Sequence, residues 1–352
     1  NLVDVTEDLS KEVNPFLASI LITDTTGFEL YVTENNPKFY HSQLKKAKTY
    51  AKKLARDNPN STFDAEKYAQ GQMPKVASSN PDAKLAYLNG HFGYFQKCII
   101  STNALGVVRN VNFYDSDNSL DLDLTPQDIK DQYDSKSLIP SLETFFQLHP
   151  NFSYKYFLGD SGFDADDNYA YLHKKAIMPI ISLNPRNTKD LPQSNFNEMG
   201  VPLCPYDSSL PMAYDGITRE KGRADRIKYI CPKVKKTRIS GKTTYILNCD
   251  NPCTSSKCGR TKNITIHNNY RFNTSMPRDS LKWQKLYRIR TICERSISQL
   301  KNFAKIKSSA VRNTISLKSD ILLACISQLI AFTLMFKTKN YDNPLAIKSL
   351  IA

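Results

Sequence analysis

Short apolar runs alternate with helical patterns along much of this chain, and that alternation is the strongest limit on its fold. The runs FLASILIT (16–23), YKYFLGD (154–160) and IMPIISL (177–183) have the length of buried strands. Segments 40–56 and 137–149 carry helical periodicity. The pattern predicts an α/β fold in which a mixed sheet is flanked by helices.

The composition changes after the last of these predicted strands. Residues 190–276 are rich in Pro, Cys, Thr and Tyr and contain short alternating runs, which indicate a β-rich insertion. Helical periodicity returns at residue 279 and continues to 336. We therefore predict a first core part, the insertion, C-terminal core helices and a tail, at residues 1–189, 190–276, 277–337 and 338–352.

One apolar run, ILLACISQLIAFTLMF (321–336), is a candidate for a membrane span. It is shorter than the roughly 20 residues that a span needs, and Ser327 and Gln328 interrupt it. We therefore expect a buried helix there and no membrane partner. Because no signal-peptide pattern begins the chain, we expect a cytoplasmic protein. The chain starts at Asn1 rather than Met, so we expect an N-terminal segment to be missing.

The formal net charge is +14, and the bases are concentrated in two blocks. Residues 282–318 contain ten Lys or Arg and a single acid, Glu294. Residues 219–242 contain ten more, against Glu220 and Asp225. This distribution predicts a polyanionic partner and favours nucleic acid over an anionic membrane surface.

Glu294 lies in the centre of the basic stretch YRIRTICERSISQLK (287–301). Wound as one helix at about 100° per residue, the stretch places Tyr287, Arg290, Glu294 and Lys301 on one polar face. The opposite face is apolar and consists of Ile289, Ile292, Cys293, Leu300 and Phe303. The alternative is a solvent-exposed helix face with ion pairs between residues one turn apart, which would show the same pattern.

Two further acids follow predicted strands, because Asp24 closes the first run and Asp160 closes the second. Carboxylates at the ends of buried strands point into a crevice, although each could simply cap a helix or start a turn. With Glu294 they make three hard oxygen ligands, which suit Mg²⁺ or Mn²⁺. Two such ions about 3.5–4 Å apart could hold the attacking and leaving oxygens of a phosphodiester. Asp164 is an alternative to Asp160, and it also fits a helix cap.

The spacing Tyr287-(2)-Arg290-(3)-Glu294-(6)-Lys301 resembles the Tyr-Arg-Glu-Lys signature of DDE transposases from bacterial insertion sequences. The stretches LITDTTGFE and GDSGFDADDNY, around Asp24 and Asp160, are similar to the two Asp motifs of that family. The likeness covers about residues 16–336. It implies an RNase H-like catalytic fold, interrupted by the β-rich insertion before the last catalytic helix.

The resemblance also implies roles for these residues. Asp24, Asp160 and Glu294 would be the catalytic triad and would bind two Mg²⁺ or Mn²⁺ ions. Arg290 and Lys301 would bind phosphates of the transposon end, and Tyr287 would lie beside the DNA backbone. Some relatives stack a Trp of the insertion on a flipped base, but the sole Trp here, Trp283, lies outside it, so that role is not carried over.

The activity implied is DNA cleavage at transposon ends followed by strand transfer. The implied partner is double-stranded DNA, both terminal inverted repeats and target, bound by a homodimer associated with the bacterial nucleoid. Two alternatives stay open: an RNase H-like nuclease without strand transfer, and a non-catalytic DNA-binding derivative of a transposase.

The insertion contains a second candidate site. Eight cysteines in a chain without a secretory signal are expected to be reduced thiols. Cys231, Cys249, Cys253 and Cys258 have the spacing C-x17-C-x3-C-x4-C and could bind a structural zinc ion, although simple free thiols also fit. His91 is interpreted as a strand residue rather than a catalytic base.

Overall fold

The computed structural model describes residues 1–59, 62–88, 91–113, 134–186, 195–239, 242–257, 259–272, 276–303 and 311–340. The helices are α1 (Leu2–Val13), α2 (Pro15–Ala18), α3 (Pro37–Asp57), α4 (Ala65–Gly71), α5 (Asp134–Leu148), α6 (Asp166–Lys174), α7 (Leu281–Arg288), α8 (Thr291–Phe303) and α9 (Thr314–Thr338). The strands are β1 (Ile20–Glu29), β2 (Val76–Ala77), β3 (Asn80–Leu88), β4 (His91–Asn103), β5 (Val108–Phe113), β6 (Tyr156–Gly159), β7 (Met178–Ile181), β8 (Ala213–Thr218), β9 (Arg226–Ile230), β10 (Val234–Ile239), β11 (Lys242–Leu247) and β12 (Thr261–Thr265).

The chain divides into two compact units. The first consists of Asn1–Ser153 and Thr291–Ala352, and the second of Tyr154–Arg290. Both units contain helices and strands, and antiparallel and parallel strand pairs both occur, so the predicted mixed α/β class is confirmed. The boundaries predicted at residues 189, 276 and 337 stay predictions.

In the first unit the strands β2, β3, β4 and β1 pair in that order, and β5 pairs with β4. Strands β4 and β5 form an antiparallel hairpin. Its turn is closed by Asn103, whose Oδ1 accepts hydrogen bonds from the backbone N–H groups of Leu105 and Val107, both at 3.1 Å. Gly106 adopts a φ of 83°, a conformation that glycine reaches without steric cost.

The first predicted strand begins later than expected, because a short helix precedes it. Asn14 accepts hydrogen bonds from the N–H groups of Phe16 and Leu17, and Pro15 occupies the first turn of α2. The Asn-Pro pair is a helix-start signal that the apolar run conceals. Strand β1 therefore starts at Ile20.

The prediction that Asp24 closes its strand is wrong. Strand β1 continues to Glu29, and Asp24 lies in its middle, opposite Ile100 of β4. Pairing of the backbone continues through Glu29 opposite Phe95, since the ladder bonds do not depend on the polarity of the side chains. Asp24 thus lies on a strand that is paired with β4 on both sides of it along the chain.

In the second unit β6 and β7 form a parallel pair, and Asp160 follows β6 as predicted. Among the described residues, five strands lie within the segment predicted to be β-rich. Of these, β8, β9 and β12 form one three-stranded sheet, and β10 and β11 form a separate hairpin. The three-stranded sheet has a small core of its own, made of Val201, Met212, Ile227, Tyr229 and Ile266.

The stretch 287–301 is two helices, and the prediction of one continuous helix is wrong. Helix α7 ends at Arg288 and α8 begins at Thr291. Arg290 lies between them, and its N–H donates to the carbonyl of Tyr287 at 3.0 Å, which tightens the last turn. The division between the two units falls at the same point.

Helix α9 contains the predicted membrane candidate and is longer than the apolar run, at 25 residues. Within the described part of the chain it is the helix long and apolar enough to cross a membrane. One face is nevertheless core of the first unit, where Phe332 is fully buried. The buried Gln328 accepts from Val108 N–H at 3.0 Å and donates to Ser296 at 2.9 Å. The prediction of a buried helix therefore holds for this face.

Candidate active site

Helix α8 lies across strand β1 and is joined to it by Lys301. The ammonium of Lys301 donates to Thr26 Oγ1 at 2.7 Å and to the carbonyl of Gly27 at 3.0 Å. It also lies 5.0 Å from the centre of the Phe28 ring. Alternate residues of a strand share one face, so Asp24 faces the same side as Thr26 and Phe28.

Contacts on the buried face of α8 determine where Glu294 lies relative to strands β1 and β4. Cys293 donates through sulfur to the carbonyl of Ile100 at 3.7 Å, and Ile100 is the cross-strand partner of Asp24. Ser296, three residues further on, donates to the carbonyl of Gly106 at 2.8 Å. Glu294 follows Cys293 directly and is therefore held beside the strand pair that carries Asp24.

Asp24 and Glu294 line one pocket of about 660 Å³ in the first unit. Glu294 is exposed in the first turn of α8, where the helix dipole favours a carboxylate. Asp24 is half-buried, and its Oδ1 accepts from the N–H of Thr25 at 2.9 Å. Lys301 lies seven residues after Glu294, two turns along the same face, and lines the pocket as well. The pocket thus places the carboxylates of Asp24 and Glu294 together with one ammonium group.

Two titratable residues of this pocket were not predicted as site residues. Glu29 and His91 line it, and His91 Nε2 lies 3.4 Å from a carboxylate oxygen of Glu29. His91 is the first residue of β4, as its interpretation as a strand residue predicts. Their proximity follows from the pairing of β1 with β4, which no local pattern in the sequence reveals.

Asp160 belongs to the second unit. Its Oδ1 accepts from the N–H of Gly162 at 2.8 Å, so the residue caps the short helical turn Ser161–Phe163. The capping role that a strand-terminal Asp can have is therefore observed. A carboxylate has about four acceptor positions, and this bond uses one of them.

Asp164 is a structural residue. Its carboxylate is buried and accepts from Arg271 at 2.7 Å, from the Tyr169 hydroxyl at 2.8 Å and from the N–H of Asn184 at 2.7 Å. Burial raises the pKa of Tyr169, the guanidinium of Arg278 opposes that rise, and the Asp164 carboxylate adds to it. These bonds use the Asp164 oxygens inside the unit, so Asp164 is a poor alternative to Asp160.

Tyr287 and Trp283 form a stacked pair in the second unit. Their ring centres are 4.7 Å apart, with 13° between the planes. The Tyr287 hydroxyl is hydrogen-bonded to Ser182 at 2.9 Å, and the Arg290 guanidinium lies 5.7 Å from the Tyr287 ring. The pair, with Ser182, lines a second pocket of about 780 Å³, which also contains Arg271 and Arg278. Tyr287 and Arg290 thus lie in a basic, aromatic environment.

No group of three His, Cys, Asp or Glu side chains within the described ranges already has metal-binding geometry. Asp24 and Glu294 supply two carboxylates in one pocket, and Asp160 lies in the other unit. Of the four predicted zinc ligands, Cys231, Cys249 and Cys253 have free thiols, and Cys258 lies outside the described residues.

The sequence model of one family, described as "Transposase DDE domain", matches residues 106–330, which is more than half of the chain. The matched residues include Asp160 and Glu294, whereas Asp24 precedes them. A search of curated proteins found no match. Because the match covers more than half of its length, the chain belongs to the family of transposases with a DDE domain.

Proposed function

We propose that this chain is a transposase of the bacterial insertion-sequence type with the Tyr-Arg-Glu-Lys signature. It cleaves DNA at transposon ends with divalent metal ions and then transfers the cut strand to target DNA. Membership of the DDE family supports transposase activity in DNA recombination. The finer assignment depends on one observation, the pocket in which Asp24, Glu294 and Lys301 meet.

The oxygen donors of this pocket fit Mg²⁺ or Mn²⁺. Both ions prefer carboxylate and water oxygens, and Asp24 and Glu294 provide carboxylates from a paired strand and a packed helix. We propose Asp160 as the third ligand. When bound, two such ions would supply Lewis acidity and activate a water molecule for attack on phosphorus.

The residues of the chain itself would bind and position DNA. Lys301, tethered to β1 by two hydrogen bonds, would present its positive charge to a phosphate beside the carboxylates. Arg290 would bind phosphate as a planar fork, and Tyr287 would lie against the DNA backbone. Fixed cations next to the reacting phosphodiester stabilise the charge that develops on its oxygens.

The test is cleavage of a DNA fragment that carries the genomic sequence from both sides of the reading frame. We expect Mg²⁺-dependent cleavage that Asp24→Asn, Asp160→Asn or Glu294→Gln each abolishes, while affinity for the DNA is largely kept. Glu12→Gln, at an exposed site on α1, is the matched control and should cleave like wild type. Wild-type rates from Glu294→Gln would contradict the triad.

The same assay separates the alternatives. Cleaved ends without joined products would indicate an RNase H-like nuclease that lacks strand transfer. Binding without cleavage by the wild-type chain would favour the non-catalytic derivative. A homodimer on double-stranded terminal repeats remains our proposal, and sedimentation of the protein with and without DNA would test it.

A further inference from the structure

The hairpin of β10 and β11 has little of its own to keep it folded. It is a separate two-stranded sheet, and such isolated hairpins are at best marginally stable in water. Ile246 is 54% exposed, and none of the hairpin side chains that the structure describes belongs to the core cluster beside β9. The hairpin therefore needs another source of stability at its base.

Cysteines lie where the two hairpin strands begin and end. The last strand pair is Val234 opposite Leu247, and Asn248 N–H donates to the carbonyl of Lys233 at 3.0 Å beyond it. Cys231 precedes this base by two residues and Cys249 follows directly. The register therefore places Cys231 and Cys249 on neighbouring segments at the open end of the hairpin.

The segment that returns to β12 approaches the same point. A Cβ atom added at Gly259 would lie 2.7 Å from the Cβ of Cys231 and 2.9 Å from Val234, and Gly259 has a φ of 67°. Only glycine permits both this backbone conformation and this close approach. The segment that leaves Cys249, includes Cys253 and returns at Gly259 thus starts and ends beside Cys231.

Cys204 reaches this region by a different route. Its N–H donates to the carbonyl of Leu210 at 2.9 Å, in a segment that leads into β8. The first residue of β8, Ala213, pairs with Ile230, which directly precedes Cys231. Leu203, next to Cys204, forms an isolated β-bridge with Pro211, so the strand pairing leads from Cys204 to the same end of the hairpin as Cys231.

We propose that Cys231, Cys249 and Cys253 bind one structural Zn²⁺ ion that clamps the open end of this basic hairpin. A fourth thiolate completes the tetrahedral set that zinc prefers. Cys204 is the candidate that the strand pairing brings close, and Cys258 is the candidate that the sequence spacing supplies. The thiols of the described cysteines do not form a group of three with metal-binding geometry. Zinc binding would therefore draw the loop of Cys249 and Cys253 towards Cys231.

The test begins with the metal content of the full chain after incubation with Zn²⁺ and removal of the excess. We expect about one zinc per chain, with most of it lost in Cys249→Ser and in Cys253→Ser. Cys325→Ala, in the buried face of α9, is the control and should keep its zinc. Loss in Cys204→Ser but not in Cys258→Ser, or the reverse, identifies the fourth ligand.

A second measurement uses the wild-type chain alone, so it does not depend on whether a variant folds. Co²⁺ in place of zinc should give the intense near-ultraviolet band of thiolate ligands and the visible bands of tetrahedral cobalt. Removal of the metal by a chelator should speed proteolysis within residues 234–247 without any need for DNA. Absence of the thiolate band, or full zinc in Cys249→Ser, would overturn the proposal.

Discussion

Asp160 and Asp164 are four residues apart, yet their surroundings predict opposite effects of substitution. Asp164→Asn should lower the free energy of unfolding by about 3–5 kcal/mol, because it leaves the buried Arg271 guanidinium without its anionic partner. Asp160→Asn should cost well under 1 kcal/mol, since Asn also caps a helical turn. Chemical denaturation of both variants measures the difference.

Cleavage assays on the same pair complete this comparison at the level of single residues. We expect Asp160→Asn to remain folded and lose DNA cleavage. If Asp160→Asn cleaves DNA normally, Asp160 is not a metal ligand. If Asp164→Asn is as stable as wild type, the ion pair with Arg271 is not the structural contact described above.

Single residues also show what the sequence leaves undetermined. The seven-residue interval between Glu294 and Lys301 predicts a shared helix face, and both residues do line one pocket. The hydrogen bonds from Lys301 to Thr26 and Gly27 had no sequence signal, because they join segments more than 270 residues apart. A helical pattern determines which way a side chain faces, and only the packing of α8 on β1 determines what it meets.

At the scale of elements, the break between α7 and α8 is the clearest difference from the sequence pattern. Residues 289–291 contain no Gly or Pro to mark a helix end. Ile289 and Thr291 are β-branched and only mildly unfavourable in helices, so local propensity does not decide the matter. The two helices belong to different compact units, and hydrophobic periodicity does not show where one unit ends and the next begins.

The apolar stripe predicted for the second half of that stretch is confirmed in α8, where Cys293 and Leu300 are buried, and Ile297 is buried with them. Leu300 is 3% exposed, so Leu300→Ala should cost about 2–5 kcal/mol of unfolding free energy. Gln299→Ala, at the exposed neighbouring position, should change it by less than about 0.5 kcal/mol. Thermal melts of both variants test this, and equal losses would mean that α8 docks by another face.

Asp215 connects the hairpin to the three-stranded sheet. Its largely buried carboxylate pairs with Lys228 of β9 at 2.9 Å and with Lys236 of β10. Burial alone would raise the pKa of Asp215, but hydrogen bonds from Lys236 and Lys228 outweigh burial and lower it. A depressed folded-state pKa stabilises the protein above the unfolded value of about 4 and stops doing so as the pH falls through the folded value.

Asp215→Asn should therefore be less stable than wild type at neutral pH, and the difference should shrink as the pH falls below about 4. Denaturation of both proteins between neutral and acid pH provides the measurement. A difference that stays constant with pH would show that the ion pairs are not its source. Asp57→Asn, at an exposed position at the end of α3, is the control.

At the scale of the whole molecule, the basic residues of the block at 219–242 are not equivalent. Arg219 pairs with Asp225, and Arg223 and Arg226 pair with Glu220, so part of the charge is neutralised within the protein. The exposed hairpin bases Lys235 and Arg238 lie on β10, away from these acids in sequence. Net charge alone predicts a polyanionic partner. The ion pairs add which basic side chains are already neutralised within the protein, and therefore which others we expect to contact that partner.

Affinity for double-stranded DNA should fall steeply with salt, because each phosphate contact releases condensed counterions. Contacts to about six phosphates would give a slope of log K against log salt near −5. Lys235→Ala and Arg238→Ala should each reduce the magnitude of that slope by about one. Arg223→Ala is the matched control, since Glu220 already neutralises its charge, and it should change the slope less. Binding titrations at several salt concentrations measure all four proteins, and a flat response in the wild-type chain would exclude the basic blocks as the DNA surface.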